Sequence, residues 1–546
     1  MKQQELAQGQ NSTSETKEIN DFNDTFGAFP DQCILPDLFF QQVEAVPERI
    51  AIVEKDQQYT YAELGAEVNR LTEILYHQKL EKGTPIVVLL EPGFKLLATL
   101  LAVLKSGCYY VPIDTRSSAT HVHYMVSDSN PVLILTSDTV YKSYTFLRRM
   151  SVCFVDAPSS LSLPENEEIR PDNPVDVHDT AYVMYTSGTS GRPKRVAISH
   201  QSLVNYCFWA MNQYCDGLAC IFPLITSVSF DLTITSLYVP LISGGSIMVY
   251  TGNEEKTPVL QAIEENKADI IKLTPSQLRS VASSAVVQRS GFSSNVKVFI
   301  VGGEDLSAKL CQEIISLFGQ NVKIYNEYGP TEATVGCMIY EFEPENNTTG
   351  LIPVGKPISN SRIYLLSDTL CPVEGDEIGE IYIAGTGLAK GYFDNPEMNA
   401  QRFVPDIFVK GELMYKSGDL GRWNHLGELE CLGRLDRRII IDGNYMMLMQ
   451  IESAIEAHQA IFASLALVRK NEDGIFVLYA YAVPYDAVYL ANPDKALQLK
   501  RELLQCLNES LPDCTIKREL IFIERFPLSL NDKIAIDKLP VPIQLA

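Results

Sequence analysis

Tyr185-Thr-Ser-Gly-Thr-Ser-Gly-Arg-Pro-Lys194 is the stretch on which the reading of this 546-residue chain turns. It follows an apolar run at residues 181–184 and concentrates hydroxyls, glycines and one lysine in a short segment. Glycines let a backbone approach closely enough for successive amides to point at anionic oxygens; Ser and Thr hydroxyls add donors and a lysine adds a point charge. Clusters of Ser, Thr and Gly also serve as surface linkers. The spacing is not GxxxxGK[ST], so the P-loop arrangement of NTPases does not apply. The segment alone leaves an anion-holding loop and a linker both open.

Around it, short apolar runs alternate with helical periodicity. Residues 85–90 read as a buried strand and 94–105 as a helix ending near Gly107. Further strands are predicted at 109–111, 132–135, 247–250, 297–301 and 322–325. That alternation argues for α/β layers with largely parallel pairing. Residues 157–175, rich in Pro, Ser, Asn and acid, read as an internal loop. Residues 1–32 are expected to be a mobile polar tail and 33–434 a large lobe. The texture changes near Asp436, and residues 435–546 have the size of a separate small α+β lobe.

Composition removes several functions. Lys and Arg number 45 against 68 Asp and Glu, a net charge of −23, with no basic run to override it, so nucleic acid is not an expected partner. A hydrophobic content of 46% excludes disorder of the whole chain. No apolar stretch approaches the ~20 residues of a membrane span, and residues 1–5 lack the apolar core of a signal peptide. No membrane association is therefore expected. The 12 cysteines are scattered with no CxxC pair, which fits reduced thiols and a cytoplasmic location. His121-Val-His123 has no Cys or carboxylate cluster beside it and is not read as a metal site.

Further motifs follow in order along the chain. Tyr59-Thr-Tyr-Ala-Glu-Leu64 and Leu104-Lys-Ser-Gly-Cys-Tyr-Tyr-Val-Pro-Ile-Asp114 come first. Ser229-Phe-Asp231, Asn326-Glu-Tyr-Gly-Pro-Thr-Glu332 and Gly379-Glu-Ile-Tyr-Ile-Ala-Gly385 come next. Tyr415-Lys-Ser-Gly-Asp419, Gly433-Arg-Leu-Asp436 and Asn531-Asp-Lys533 close the series. With the loop at 185–194, the set resembles the adenylate-forming superfamily of acyl-CoA synthetases, luciferases and nonribosomal peptide synthetase adenylation domains. The resemblance runs over about residues 35–540 and is closest to the amino-acid-activating branch.

The resemblance implies a large multi-sheet α/β adenylate-forming lobe and a small, mobile α+β lobe hinged near Asp436. It implies attack of a carboxylate on the α-phosphorus of ATP, giving an acyl adenylate and pyrophosphate; positioning and charge neutralisation carry such a reaction. By the same resemblance Thr186, Ser187, Gly188, Thr189 and Lys194 hold the ATP phosphates, and Glu332 holds Mg2+, a hard cation suited to oxygen ligands. Tyr328 lies against adenine and Asn326 reads its amino edge, while Asp419 takes the ribose hydroxyls with Arg434 nearby. Gly303 and Thr331 belong to the same nucleotide site. Lys533 enters from the second lobe and, with Lys194, is the catalytic lysine, stabilising transition-state charge.

Asp231 stands where amino-acid activators carry an Asp that pairs with the α-ammonium. A buried ammonium needs such a partner. The family's side-chain pocket maps onto Leu232, Thr235, Lys272, Ile300, Gly302, Glu327, Val335 and Gly336, besides Asp231 and Lys533. A primary carboxamide would offer its C=O to Lys272 and its NH2 to Glu327. Aspartate would set a second carboxylate against Glu327. The set resembles the pocket of asparagine-activating domains, so the expected substrate is L-asparagine, with glutamine next and aspartate third. The other reading is that Lys272 and Glu327 simply pair with each other.

Three departures from the family pattern stand out. Arg195 replaces the usual Gly, Cys431 replaces an aromatic, and in 437–450 Ile440, Tyr445, Met447 and Met449 replace typical Lys, Arg, Glu and Gly. Gly443 and Glu452 are kept. In the family this stretch admits a phosphopantetheine thiol after adenylation; its Met-rich character is either packing or an adapted partner surface. No carrier or condensation domain is expected within these 546 residues. The expectation is a freestanding enzyme that loads a phosphopantetheinylated carrier protein in trans, the alternative being a piece of a longer chain. The rival functions are an acyl- or aryl-CoA ligase, against which Asp231 counts, and a catalytically inactive module, which only the 437–450 stretch supports.

Overall fold

Continuous apolar runs such as Pro85–Leu89 become interior strands because helices cover both of their faces. A computed structural model describes residues 22–157, 174–186, 193–253, 256–441, 444–470, 476–510, 517–529 and 533–540. Most of the 157–175 stretch lies outside the described residues, as do Ser187, Gly188 and Thr189.

A seven-stranded sheet forms the first layer, in the order Gly391–Tyr392, Lys194–Ser199, Thr180–Thr186, Tyr109–Pro112, Pro85–Leu89, Leu133–Thr136, Val152–Phe154. Its centre is parallel. Helix Phe94–Ser106, buried on nearly all sides, makes one of the crossovers and stops at Gly107, whose φ of +81° a side chain would oppose. The second sheet pairs Ile270–Leu273, Val298–Gly302 and Lys323–Tyr328 in parallel, then Met338–Glu341 and Lys356–Pro357 antiparallel. A four-stranded sheet carries Ile50–Glu54 and Ser246–Val249 at its centre.

Within residues 33–434 the expectation of largely parallel pairing fails for one sheet. Ser361–Leu366, Gly379–Gly385, Leu413–Trp423, Phe403–Pro405 and Leu429–Arg434 pair antiparallel throughout. The turn between Trp423 and Leu429 shows why: a connection that short can only return the chain beside itself.

Beyond Arg434 a single 3-10 turn, Leu435–Arg437, leads into the last part of the chain. There the sheet Ile461–Lys470, Phe476–Pro484, Lys517–Phe522 packs on helices Leu448–Glu456 and Pro493–Ser510. Its core of Ile451, Ile455, Leu478, Leu499 and Leu503 is distinct from the larger cores before it. Polar contacts join the two parts: Lys309 Nζ donates to the Ile461 carbonyl at 2.7 Å, and the Ile534 N–H donates to Glu304 Oε1 at 3.1 Å.

Residues 22–32 are not the free tail expected of 1–32. Phe22 meets Trp423 edge to face at 4.3 Å, Asn23 exchanges two hydrogen bonds with the Ile363 backbone, and the Thr25 hydroxyl donates to the Ser361 carbonyl. Few apolar residues in this segment find a ready-made apolar face, which composition alone does not reveal. Among the described residues no helix is long and apolar enough to cross a membrane.

Candidate active site

Lys533 stands where two cavities meet. One, of about 540 Å3, is walled by Lys194, Asp231, Lys272, Glu327 and Glu332. The other, of about 480 Å3, is walled by Asn326, Tyr328, Asp419 and Cys431. Gly303, Arg434 and Lys533 line both. The lysine is fixed by its own backbone, whose carbonyl accepts the Ser529 N–H at 2.7 Å, and its Nζ lies 4.8 Å from the centre of the Phe230 ring. Gly303 has φ +86°, and a Cβ there would sit 3.2 Å from Lys533 Cε. Its glycine identity keeps the lysine's path open.

In the second cavity the Tyr328 hydroxyl donates to Asp419 Oδ2 at 2.5 Å, and Arg434 Nη1 lies 3.5 Å from Asp419 Oδ1. Burial pushes the Asp419 carboxyl above its ordinary range, and Tyr328 and Arg434 pull it back. Asn326 donates through Nδ2 to the carbonyls of Ile352 and Pro353, at 3.2 and 2.9 Å. That fixes its amide orientation and leaves Oδ1 as the acceptor it can offer a ligand. Cys431, in place of an aromatic, adds a small apolar wall patch.

In the first cavity the hairpin register sets Thr186 opposite Lys194, at the two ends of the glycine-rich loop. Lys194, Arg402, Arg434 and Lys533 face it against Asp231 and Glu332, with Lys272 and Glu327 neutralising each other. A chain with a net charge of −23 thus encloses a locally positive chamber suited to a polyanion. Burial lowers the Lys194 ammonium below its usual range, opposed by nearby Glu332. Glu332 Oε1 accepts the Tyr392 hydroxyl at 2.5 Å. No group of three His, Cys, Asp or Glu gathers among the described residues, so an all-protein metal cage does not fit. One buried carboxylate beside an anion chamber fits a magnesium ion that keeps waters and phosphate oxygens as most of its ligands.

At the inner end, Asp231, Leu232, Lys272, Gly302, Glu327 and Val335 line the cavity. Burial raises the Asp231 carboxyl, while a Thr331 hydrogen bond and the charges of Lys533 and Lys272 oppose the rise. Of the two readings of Lys272 and Glu327, the structure shows the ion pair, almost fully buried, with both residues still on the cavity wall. Thr235 and Ile300 do not reach that wall. Thr235 Oγ1 lies 2.6 Å from the Tyr206 hydroxyl, and Ile300 sits in the core beside Lys272 in the parallel register. Gly336 acts by what it lacks: a Cβ would fall 2.6 Å from Glu327 Oε1.

Several participants are invisible in the motif series. Tyr206 and Tyr214 both donate to Glu327; Tyr392 holds Glu332, and Arg402 joins the positive wall. Tyrosines inside apolar helices read as core, and only the choice of Tyr over Phe hints that a hydroxyl is wanted. Arg195, the departure after the loop lysine, is structural. It donates to the Asp128 carbonyl at 3.1 Å, pairs with Asp394 and stacks on Phe393. In the 437–450 stretch Met449 reaches the second cavity, and Arg437 pairs with Glu452 at 2.8 Å.

Comparison with known proteins follows the same outline. Residues 39–393 match the model of a family described as AMP-binding enzyme. The chain is 37% identical over 521 residues to tyrocidine synthase 3 of Brevibacillus parabrevis, covering 95% of this chain and 8% of that protein. It is 34% identical over 525 residues to bacitracin synthase 3 of Bacillus licheniformis, covering 96% and 8%. The chain therefore spans less than a tenth of the length of these two relatives. In fold it is similar to Klebsiella oxytoca NpsA in complex with 3-hydroxyanthranilyl-AMSN, at a TM-score of 0.77 and 20% identity over 92% of this chain and 98% of that one. It is likewise similar to a four-domain nonribosomal peptide synthetase bound to AMP and glycine, at 0.78 and 23% over 97% and 38%.

Proposed function

Because this chain belongs to the AMP-binding enzyme family, whose model spans residues 39–393, we propose that it is an adenylate-forming ligase that activates an α-amino acid, L-asparagine, with ATP. The observation that carries this reading is the meeting of the two cavities at Lys533, with Asp231 and the Lys272–Glu327 pair at the closed end. An amino acid placed there has its ammonium on Asp231, its side chain on the ion pair and its carboxylate toward the lysine.

The carboxylate oxygen attacks the α-phosphorus, the bond from that phosphorus to the β-bridging oxygen breaks, and pyrophosphate leaves. Tyr328 and Asn326 Oδ1 hold the adenine, and Asp419 takes the ribose hydroxyls. Thr186, Ser187, Gly188, Thr189 and Lys194 hold the outgoing phosphates. Magnesium bound at Glu332 would neutralise phosphate charge. Lys533 donates to the oxygens where negative charge accumulates, in a chamber whose low dielectric strengthens the contact.

The second half-reaction in this reading is transfer of the asparaginyl group to the phosphopantetheine thiol of a carrier protein. The thiol sulfur attacks the carbonyl, its proton is lost and AMP leaves. Rotation of the last lobe about Asp436 would reorient the 437–450 stretch, whose Arg437 and Met449 already line the second cavity, and the short Leu435–Arg437 turn is the place for such a pivot.

Amino-acid-dependent exchange of pyrophosphate into ATP, measured across the twenty amino acids, tests the proposal. Exchange should be strongest with asparagine. Asp231→Ala should raise the asparagine KM at least about tenfold, because a buried ammonium loses its partner. Strongest exchange with a hydrocarbon amino acid would discard the pocket reading and keep the enzyme. No exchange with any amino acid would discard amino-acid activation itself. The ribose assignment has its own readout: Asp419→Ala should raise the ATP KM roughly tenfold, the order expected for losing a charge-assisted hydrogen bond, with the asparagine KM unchanged.

A further inference from the structure

Glu327 receives more donors than its ion pair requires. Lys272, Tyr206 and Tyr214 all donate to it, and Thr235 stands behind Tyr206. None of the last three belongs to the cavity wall.

Counting hydrogens gives this cluster a direction. The Tyr206 oxygen lies 2.6 Å from Thr235 Oγ1, 3.0 Å from Lys272 Nζ, and 3.1 and 3.3 Å from the two Glu327 oxygens. A phenol has one hydrogen, an ammonium only donates and a carboxylate only accepts. Lys272 therefore donates to the Tyr206 oxygen. If Tyr206 gave its hydrogen to Thr235, the Thr235 hydroxyl hydrogen would have no acceptor, since Tyr206 is its one hydrogen-bonding side-chain partner among the described residues. In a fully buried site that arrangement is costly. The consistent chain runs from Thr235 to Tyr206 to Glu327, with Tyr214 donating from the other side. Burial and the Glu327 charge hold both phenols well above the ordinary tyrosine range, so both remain donors.

Two of the three Lys272 hydrogens are then committed, as are three of the roughly four acceptor sites of a carboxylate. The floor of the cavity has one N–H and one lone pair left to offer, side by side. A primary carboxamide fills both with its own C=O and N–H. A carboxylate side chain satisfies only Lys272, and an ammonium satisfies only Glu327. The tyrosine hydroxyls are tied to Glu327 and cannot turn to welcome a second carboxylate.

The backbone supplies both tyrosines by an unusual local step. Tyr206 comes from helix His200–Ala210 and Tyr214 from the π-turn Met211–Cys215 that continues it. On an uninterrupted α-helix a residue eight positions on would stand about 80° round the axis. The wider turn takes up part of that angle and brings both hydroxyls onto one carboxylate.

Resting on the asparagine reading above, we infer that Thr235, Tyr206 and Tyr214 are positioning residues that set the hydrogen-bond polarity of the Lys272–Glu327 floor and thereby select a carboxamide over a carboxylate. Pyrophosphate exchange with asparagine and with aspartate, at varied amino acid and varied ATP, tests it in Tyr214→Phe, Thr235→Val and Thr235→Ser. Tyr214→Phe should raise the asparagine KM about tenfold, the scale of one hydrogen bond to a charged group, and narrow the asparagine-to-aspartate ratio while the ATP KM stays put. Thr235→Val should shift the ratio the same way by a smaller factor, and Thr235→Ser, which keeps the hydroxyl, should restore it. A wild-type enzyme that prefers asparagine, with the ratio unmoved in both Tyr214→Phe and Thr235→Val, overturns this inference alone. So does a Thr235→Ser variant as impaired as Thr235→Val, since packing would then be the cause. If Tyr214→Phe fails to fold, the Thr235 pair decides. A wild-type enzyme that activates another amino acid and not asparagine overturns the functional reading and this inference with it.

Discussion

Replacing Lys533 by alanine should slow adenylate formation about 10²–10³-fold, the scale on which a single preorganised donor acts on developing charge, with little change in the ATP KM. The asymmetry follows from where the groups sit. The adenosine end of the nucleotide is assigned to Tyr328, Asn326 and Asp419, which need no help from Lys533 to keep their geometry: Asp419 is held by Tyr328 and Arg434, and Asn326 by two backbone carbonyls. Lys533 stands at the junction, where the attacked phosphorus would lie, and an ammonium there gains most as charge builds on the oxygens. Its removal costs the fold little, because the side chain is half-buried and leans on Phe230 and Gly303 without anchoring either. Single-turnover formation of adenylate at saturating ATP separates rate from binding. Full activity in the alanine variant would remove Lys533 from the catalytic role, and a raised ATP KM with an unchanged rate would reassign it to nucleotide binding.

The sequence made some of this legible because two of its signals are local. The strand at Pro85–Leu89, the helix ending at Gly107 and the strand at Val298–Gly302 all fall within a residue or two of their predicted places, since burial on both faces and a left-handed stop are written in neighbouring residues. The motif series also gathers at one cleft: Thr186, Lys194, Asp231, Glu332 and Lys533 share one cavity wall. What stayed hidden depends on distance in sequence. Tyr206 and Tyr214 meet Glu327 more than a hundred positions away. Nothing in an apolar helix announces such a partner. Thr235 and Ile300 were placed at the wall by resemblance, yet the helix and sheet that carry them set them one layer back. Arg195 looked like a change in the phosphate loop and is a strut between Asp128 and Asp394. The docking of residues 22–32 depends on a partner face formed by strands more than three hundred residues on.

Lys272→Met should destabilise the large lobe by about 3–5 kcal/mol, because removing one member of a buried pair strands the other charge. Glu327 would keep two tyrosine donors but no cation, at a position whose side chains are 1% and 2% exposed in the pair. The same principle says that such a pair is a poor source of stability, since well-packed hydrocarbon of similar volume does as well. Lys272→Met combined with Glu327→Leu should therefore recover most of the loss. The remainder, on the order of 1–3 kcal/mol for each orphaned hydroxyl hydrogen, belongs to Tyr214 and to the Tyr206–Thr235 pair, whose two hydroxyl hydrogens then share a single bond. Adding Tyr214→Phe should remove the Tyr214 share. Unfolding midpoints in denaturant across the single, double and triple variants check the series. A single variant as stable as the wild type, or a double variant no better than the single, would refute the account of the pair. Activity should move the other way: all three variants lose asparagine-dependent exchange, and the triple variant, with methionine and leucine beside Leu232 and Val335, should take a hydrocarbon side chain. These outcomes together would mean that a pair which costs stability when broken and adds little when intact is held in place by the chemistry of recognition, not by the needs of the fold.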